Sequence, residues 1–140
     1  MSVSDKNVSR SRNMRSVEVA PEAMKILRTV NENEAFYFYE AIGRPTGDVA
    51  RNLSDLLEKV QLAKSESLLF HAQRGDFQNW VEQVLGDSKL ARKLGKMSIS
   101  NGDDVRRCLC RTVKNRMREL SDASMAVMVD VNNAVLLPSC

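Results

Sequence analysis

The chain has 140 residues, 43% of them apolar, 28% charged and 5% aromatic, the composition of one globular domain with uncommitted ends. Lys and Arg total 21 against 18 for Asp and Glu, a net charge of +3, which excludes a polybasic or polyacidic chain that binds by bulk charge. Cys108, Cys110 and Cys140 are odd in number and form no disulfide framework, and a chain of this length buries a core without one, so a reducing, cytoplasmic setting is expected.

Residues 1–20 hold five serines and Lys6, Arg10, Arg12 and Arg15 against Asp5 and Glu18, with no apolar segment of signal-peptide type. They read as a disordered leader, the alternatives being a transit peptide or an arm that folds on an acidic partner. No run approaches the roughly 18 apolar residues that a membrane span requires; the longest, Ala123 to Val129, stops at Asp130. No membrane partner is expected.

A short helix can begin at Pro21, because proline suits a first helical turn and Ala23, Leu27 and Val30 then share a side. Phe36, Tyr37, Phe38 and Tyr39 break the helical pattern, since consecutive aromatics favour an extended segment with one face in and one face out. Four glycines are followed by aspartate, at Gly47-Asp48, Gly75-Asp76, Gly86-Asp87 and Gly102-Asp103. Each pair reads as a helix boundary, with glycine ending one helix and aspartate capping the next. Val49, Leu53, Leu56, Leu57 and Val60 share one helical face, as do Phe77, Trp80, Val81, Val84 and Leu85. Further helices are expected over Ser65 to Arg74, Ser88 to Lys96 and Asp103 to Leu120. The tail, 123–140, has β-like texture around Asn132-Asn133 and reads equally as a small hairpin or as disordered.

From Ala35 to about Leu120 the chain resembles an uncharacterised, largely archaeal family of small helical domains of unknown function. The residues that carry it are Phe36-Tyr37-Phe38, Gly43-Arg44-Pro45-Thr46-Gly47, Phe70-His71, Arg74-Gly75-Asp76-Phe77 with Trp80, and Val84-Leu85-Gly86-Asp87 with Leu90-Ala91. The resemblance covers 35–120 of a single helical domain expected over 21–122, and it implies no activity.

His71 is the only histidine, so no histidine pair can hold a metal. As a base it would need an orienting carboxylate, from Asp76, Asp87 or Glu40, and a partner such as Tyr37 or Tyr39; the plainer role is a half-buried histidine bonded to backbone or to a tyrosine hydroxyl. Arg74-Gly75-Asp76 spells an integrin-type tripeptide, but between helices it is explained by capping. Cys108 and Cys110 project about 200° apart on a helix, at roughly 100° per residue, and pack rather than converge on an ion. Zinc, iron-sulfur and nucleotide motifs are absent from the sequence, and no cofactor or metal is expected.

The last helix opens with Asp103 and Asp104 and continues with Arg106, Arg107, Arg111, Lys114, Arg116 and Arg118, an order that complements the helix dipole. Arg107, Arg111, Lys114 and Arg118 fall within roughly 60° of one another, opposite Val105, Leu109, Val113, Met117 and Leu120. This basic stripe is either a solvated face or a contact for phosphates or an acidic protein. Arg106 and Arg116 lie in or beside the apolar arc and must snorkel or pair, with Glu40 and Asp76 as candidate mates.

These readings converge on an all-α fold: a compact array of about five helices between Gly47 and Leu120, with the extended aromatic segment packed on it and flexible termini. The leading functional expectation is a non-enzymatic module that binds a protein partner or regulates one through the basic stripe. A nucleic-acid-binding domain making mainly phosphate contacts is the alternative. A third is a ligand-binding or enzymatic pocket formed by Tyr37, Tyr39, His71 and Arg74.

Overall fold

A computed structural model describes residues 21–125. The leader, the Asn132-Asn133 turn and Cys140 lie outside the described residues. Helix α1 covers 21–27 and places Ala23 and Ile26 in the core. The chain then reaches Val30, whose N–H donates to the Arg51 carbonyl at 2.9 Å. A single helical turn, Glu32–Glu34, leads into β1, Phe36–Ala41. Phe36 and Phe38 are buried and Tyr37 is exposed, the period-two alternation expected of the aromatic segment.

The strand has a partner that the sequence reading did not contain. β2, Arg44–Ala50, pairs antiparallel with β1 in the register Phe36↔Ala50, Tyr37↔Val49, Tyr39↔Pro45 and Ala41↔Arg44, with two irregularities. The fold is therefore mainly helical with a two-stranded sheet, not all-α. Gly47 is a left-handed residue inside β2, φ 97°, and not a helix boundary. Val49 belongs to the strand; its place four residues before Leu53 suits either element, and pairing with Tyr37 decides between them. Among the described residues β1 and β2 make up the whole sheet, so Pro45 stands on an edge strand, where proline is tolerated.

Helix α2, Leu53–Leu62, starts after Asn52, whose Oδ1 accepts the Asp55 N–H at 2.7 Å. Helix α3, Ser65–Arg74, has the expected bounds and ends on Gly75 at φ 74°, the left-handed conformation that glycine enters without a Cβ clash. Helix α4, Asp76–Trp80, widens into a π turn, Val81–Leu85, closed by Gly86. Helix α5, Ser88–Gly95, is capped by Asp87 through the Leu90 N–H at 3.1 Å.

Helix α6, Gly102–Met125, runs past the expected end at Leu120 into the expected tail. Gly102 does not terminate a preceding helix; Asn101 caps α6 through the Asp104 N–H at 2.8 Å. Glycine is required there by proximity, because a Cβ at residue 102 would lie 2.4 Å from the Ser65 carbonyl oxygen. Helix α6 packs on α2, α3 and α5, while α3 also backs the sheet. Val105, Leu109, Val113 and Leu120 thereby join Leu53, Leu56, Leu68, Leu85, Leu90 and Leu94 in one core. No helix among the described residues is long and apolar enough to cross a membrane.

Candidate functional site

The inward side of α3 carries Leu68, His71 and Ala72, and His71 is 3% exposed among rings. Phe36, Phe38, Tyr39, Phe70 and Phe77 all place their ring centroids within 6.5 Å of its imidazole. Its Nε2 accepts a hydrogen bond from the Tyr39 backbone N–H at 2.9 Å. An amide can only donate, so the proton resides on Nδ1, which donates to Asp76 Oδ2 at 2.8 Å. Burial lowers the His71 pKa, outweighing the hydrogen bond and charge of Asp76. The histidine is neutral, with both nitrogens committed.

Of the three carboxylates considered as its orienter, the structure selects Asp76. Glu40 instead pairs with Lys64 at 3.2 Å, and Asp87 belongs to another cluster. The Tyr37 hydroxyl donates to the Glu32 carbonyl at 2.7 Å, and Tyr39 meets the imidazole through its backbone N–H rather than its hydroxyl. A Ser, Cys or Tyr nucleophile on Nε2 is excluded, since the Tyr39 amide occupies that lone pair.

Asp76 Oδ2 also accepts from Arg74 Nε at 3.0 Å. The Arg74 guanidinium lies 5.0 Å from the centroid of the Phe70 ring, which stacks it in place. The Arg-Gly-Asp tripeptide is thus a helix break whose arginine and aspartate pair with each other. Tyr37, Tyr39, His71 and Arg74 come together as part of the lining of one cavity of about 320 Å³, with Phe70 and Trp80 as further walls. Trp80 has spent its indole N–H on the Glu34 carbonyl at 2.8 Å.

Comparison with protein-family models, with curated proteins and with solved structures gives no match for this chain. The motif resemblance rests on its own residues, and function is read from geometry.

The basic residues of α6 divide into two sets. Arg106 does not pair with Glu40 or Asp76; its Nη1 donates to the carbonyls of Val60 at 2.9 Å and Ala63 at 2.7 Å, closing the C-terminal end of α2. Arg116 likewise finds a different mate, the buried carboxylate of Asp87, and also donates to Glu119 Oε1 at 2.9 Å. Burial opposes its charge, but Asp87 and Glu119 prevail and its pKa is raised; Glu119 is lowered in turn, mainly by Arg116.

Arg107, Arg111 and Lys114 are exposed on the other side of the helix, while Arg118 is half-buried and engaged with its surroundings. Arg107 donates to Asp104 one turn earlier. Arg111 and Lys114 form no hydrogen bond or ion pair among the described residues.

Cys108 and Cys110 are free and half-buried, and burial raises the Cys110 thiol pKa, which makes it a poor nucleophile. Among the described residues no group of three His, Cys, Asp or Glu side chains is placed to hold a metal ion.

Sequence reasoning singled out Asp87 as a cap and Arg116 as a cation in an apolar arc, but did not join them. Their separation of 29 residues leaves no local signal.

Proposed function

We propose that the chain is a non-enzymatic interaction module that docks an acidic protein surface on the outer face of α6. The observation that carries this reading is the division of labour on that helix. Arg106 and Arg116 are consumed in holding the fold together, whereas Arg111 and Lys114 point away from the core with no counter-charge among the described residues. Arg107 sits one turn away, in an exposed pair with Asp104 that a partner carboxylate can replace at little cost. The helix is 24 residues long, about 36 Å at 1.5 Å per residue, which suits an elongated acidic surface. A binding role also fits His71, whose nitrogens are spent on Tyr39 and Asp76. A cytoplasmic setting belongs to the same reading, supported by the free thiols of Cys108 and Cys110.

The test compares a labelled acidic peptide with a DNA duplex in fluorescence anisotropy across a salt series. Peptide binding that is lost in the Arg111→Gln, Lys114→Gln double variant supports the proposal. Preferential binding of the duplex, with a log-log salt slope of about 0.9 per phosphate contacted, replaces it with the nucleic-acid reading.

A further inference from the structure

The cavity beside His71 is separate from the α6 face, since no α6 residue lines it. All seven aromatic side chains of the protein, four Phe, two Tyr and one Trp, either line this cavity or stack on those that do. Its walls are Phe36, Tyr39, Phe70, Trp80 and the hairpin residue Ile42, which is 80% exposed. A volume of about 320 Å³ lies at the small end of the range for ligand sites, which combine apolar walls with a few fixed polar groups.

Arg74 supplies the fixed polar group. Its guanidinium is held at Nε by Asp76 and across its face by Phe70. Both terminal Nη groups are left without a hydrogen bond among the described residues. That free edge is the one that meets a carboxylate with two parallel hydrogen bonds. The Tyr39 hydroxyl on the same cavity also has no hydrogen-bond partner among the described residues.

Asp76 limits the charge that the site accepts. Arg74 is the one cation of the lining and already shares its charge with Asp76, so a singly charged oxyanion meets less repulsion from that carboxylate than a dianion does. The aromatic walls take a flat apolar body by offset or edge-on stacking.

We infer that this cavity binds a small molecule consisting of an aromatic ring and a single carboxylate, the ring against the wall that Phe36, Phe70 and Trp80 form and the carboxylate on the Nη edge of Arg74. The Phe70 contact and the Asp76 hydrogen bond preset the guanidinium, so little side-chain freedom is lost on binding.

Trp80 is the single tryptophan and lines the cavity, so its emission reports occupancy directly. The full chain is titrated with phenylpropionate, with its uncharged amide, and with phenyl phosphate. Phenylpropionate gives a saturable change in emission, and the amide and the phosphate each bind about tenfold more weakly, the scale of one charge-assisted contact. Arg74→Gln removes the preference for acid over amide, and Arg74→Lys, which keeps the charge without the fork, retains part of it. Ile42→Ser, at an exposed hairpin position, weakens acid and amide alike. The inference is overturned by the absence of a saturable signal, by equal affinity for acid and amide in the unaltered chain, or by tighter binding of phenyl phosphate. The comparison of the three compounds on the unaltered chain stands even where an Arg74 variant fails to fold.

Discussion

The Arg116 guanidinium holds Asp87 at two points, Nε to Oδ2 at 2.8 Å and Nη2 to Oδ1 at 3.2 Å. The aspartate is 1% exposed and at the same time caps α5 through the Leu90 N–H. One buried carboxylate therefore ties the start of α5 to the middle of α6, and its charge is tolerable only while Arg116 faces it. Arg116→Met leaves that charge without its cation and costs about 3–5 kcal/mol in urea unfolding. Adding Asp87→Asn returns part of the loss, because the amide oxygen still caps α5 and carries no charge. Equal losses for the single and double variants would show that the charge left on Asp87 is not the source of the loss.

The His71 site makes stability depend on pH in one direction. Burial holds its pKa below the ordinary 6.5 in the folded protein, against the opposing influence of Asp76. As pH falls the unfolded chain takes up this proton first. The contribution is whole above about pH 6.5 and is lost progressively below it, down to the folded-state pKa. Protonation would also set an Nε2–H against the Tyr39 N–H. Because His71 is the only histidine, the urea midpoint of His71→Gln should decline less than that of the unaltered chain between about pH 7 and pH 5.5. Parallel declines would refute the assignment.

Gly102 offers a test in which helix propensity and packing have opposite signs. Alanine is favoured over glycine by about 1 kcal/mol in a helix interior, and Gly102, the first residue of α6 after its Asn101 cap, keeps part of that preference. At residue 102 its methyl would lie 2.4 Å from the Ser65 carbonyl oxygen, so Gly102→Ala should destabilise the protein by about 1–3 kcal/mol as α6 is forced off α3. A rise in melting temperature would mean that the approach of the two helices is looser than described.

The two sides of α6 should respond oppositely to substitution. Changing Arg107, Arg111 and Lys114 to Gln should leave the melting temperature within a few degrees, because exposed charges contribute little to stability. Val113 is 1% exposed, and Val113→Asp buries a carboxylate with no counter-ion and should unfold the domain. Unfolding of the triple Gln variant in a circular dichroism melt would make those residues structural and remove the basis for a docking face.

The features legible along the chain are the local ones. The bounds of α3, the left-handed glycines at 75 and 86, the Asp87 cap and the apolar stripe of α6 all follow from interactions within about one helical turn. The alternation of Phe36 and Phe38 against Tyr37 was legible for the same reason, as was the split of α6 into a basic and an apolar side. The tertiary structure decided whatever depends on residues distant in the chain. Val49 fits a strand or a helix equally, and only pairing with Tyr37 made it strand. Arg106 and Arg116 announced that they needed partners, but nothing near them named the α2 carbonyls or Asp87, which lie 29 or more residues away. His71 could have been a base until the Tyr39 amide took its Nε2. The cavity that gathers Tyr37, Tyr39, His71 and Arg74 exists because the hairpin packs against α3. A hydrogen-bonded contact between distant segments leaves no periodic trace in a sequence, and its energy is gained only when the fold brings the segments together.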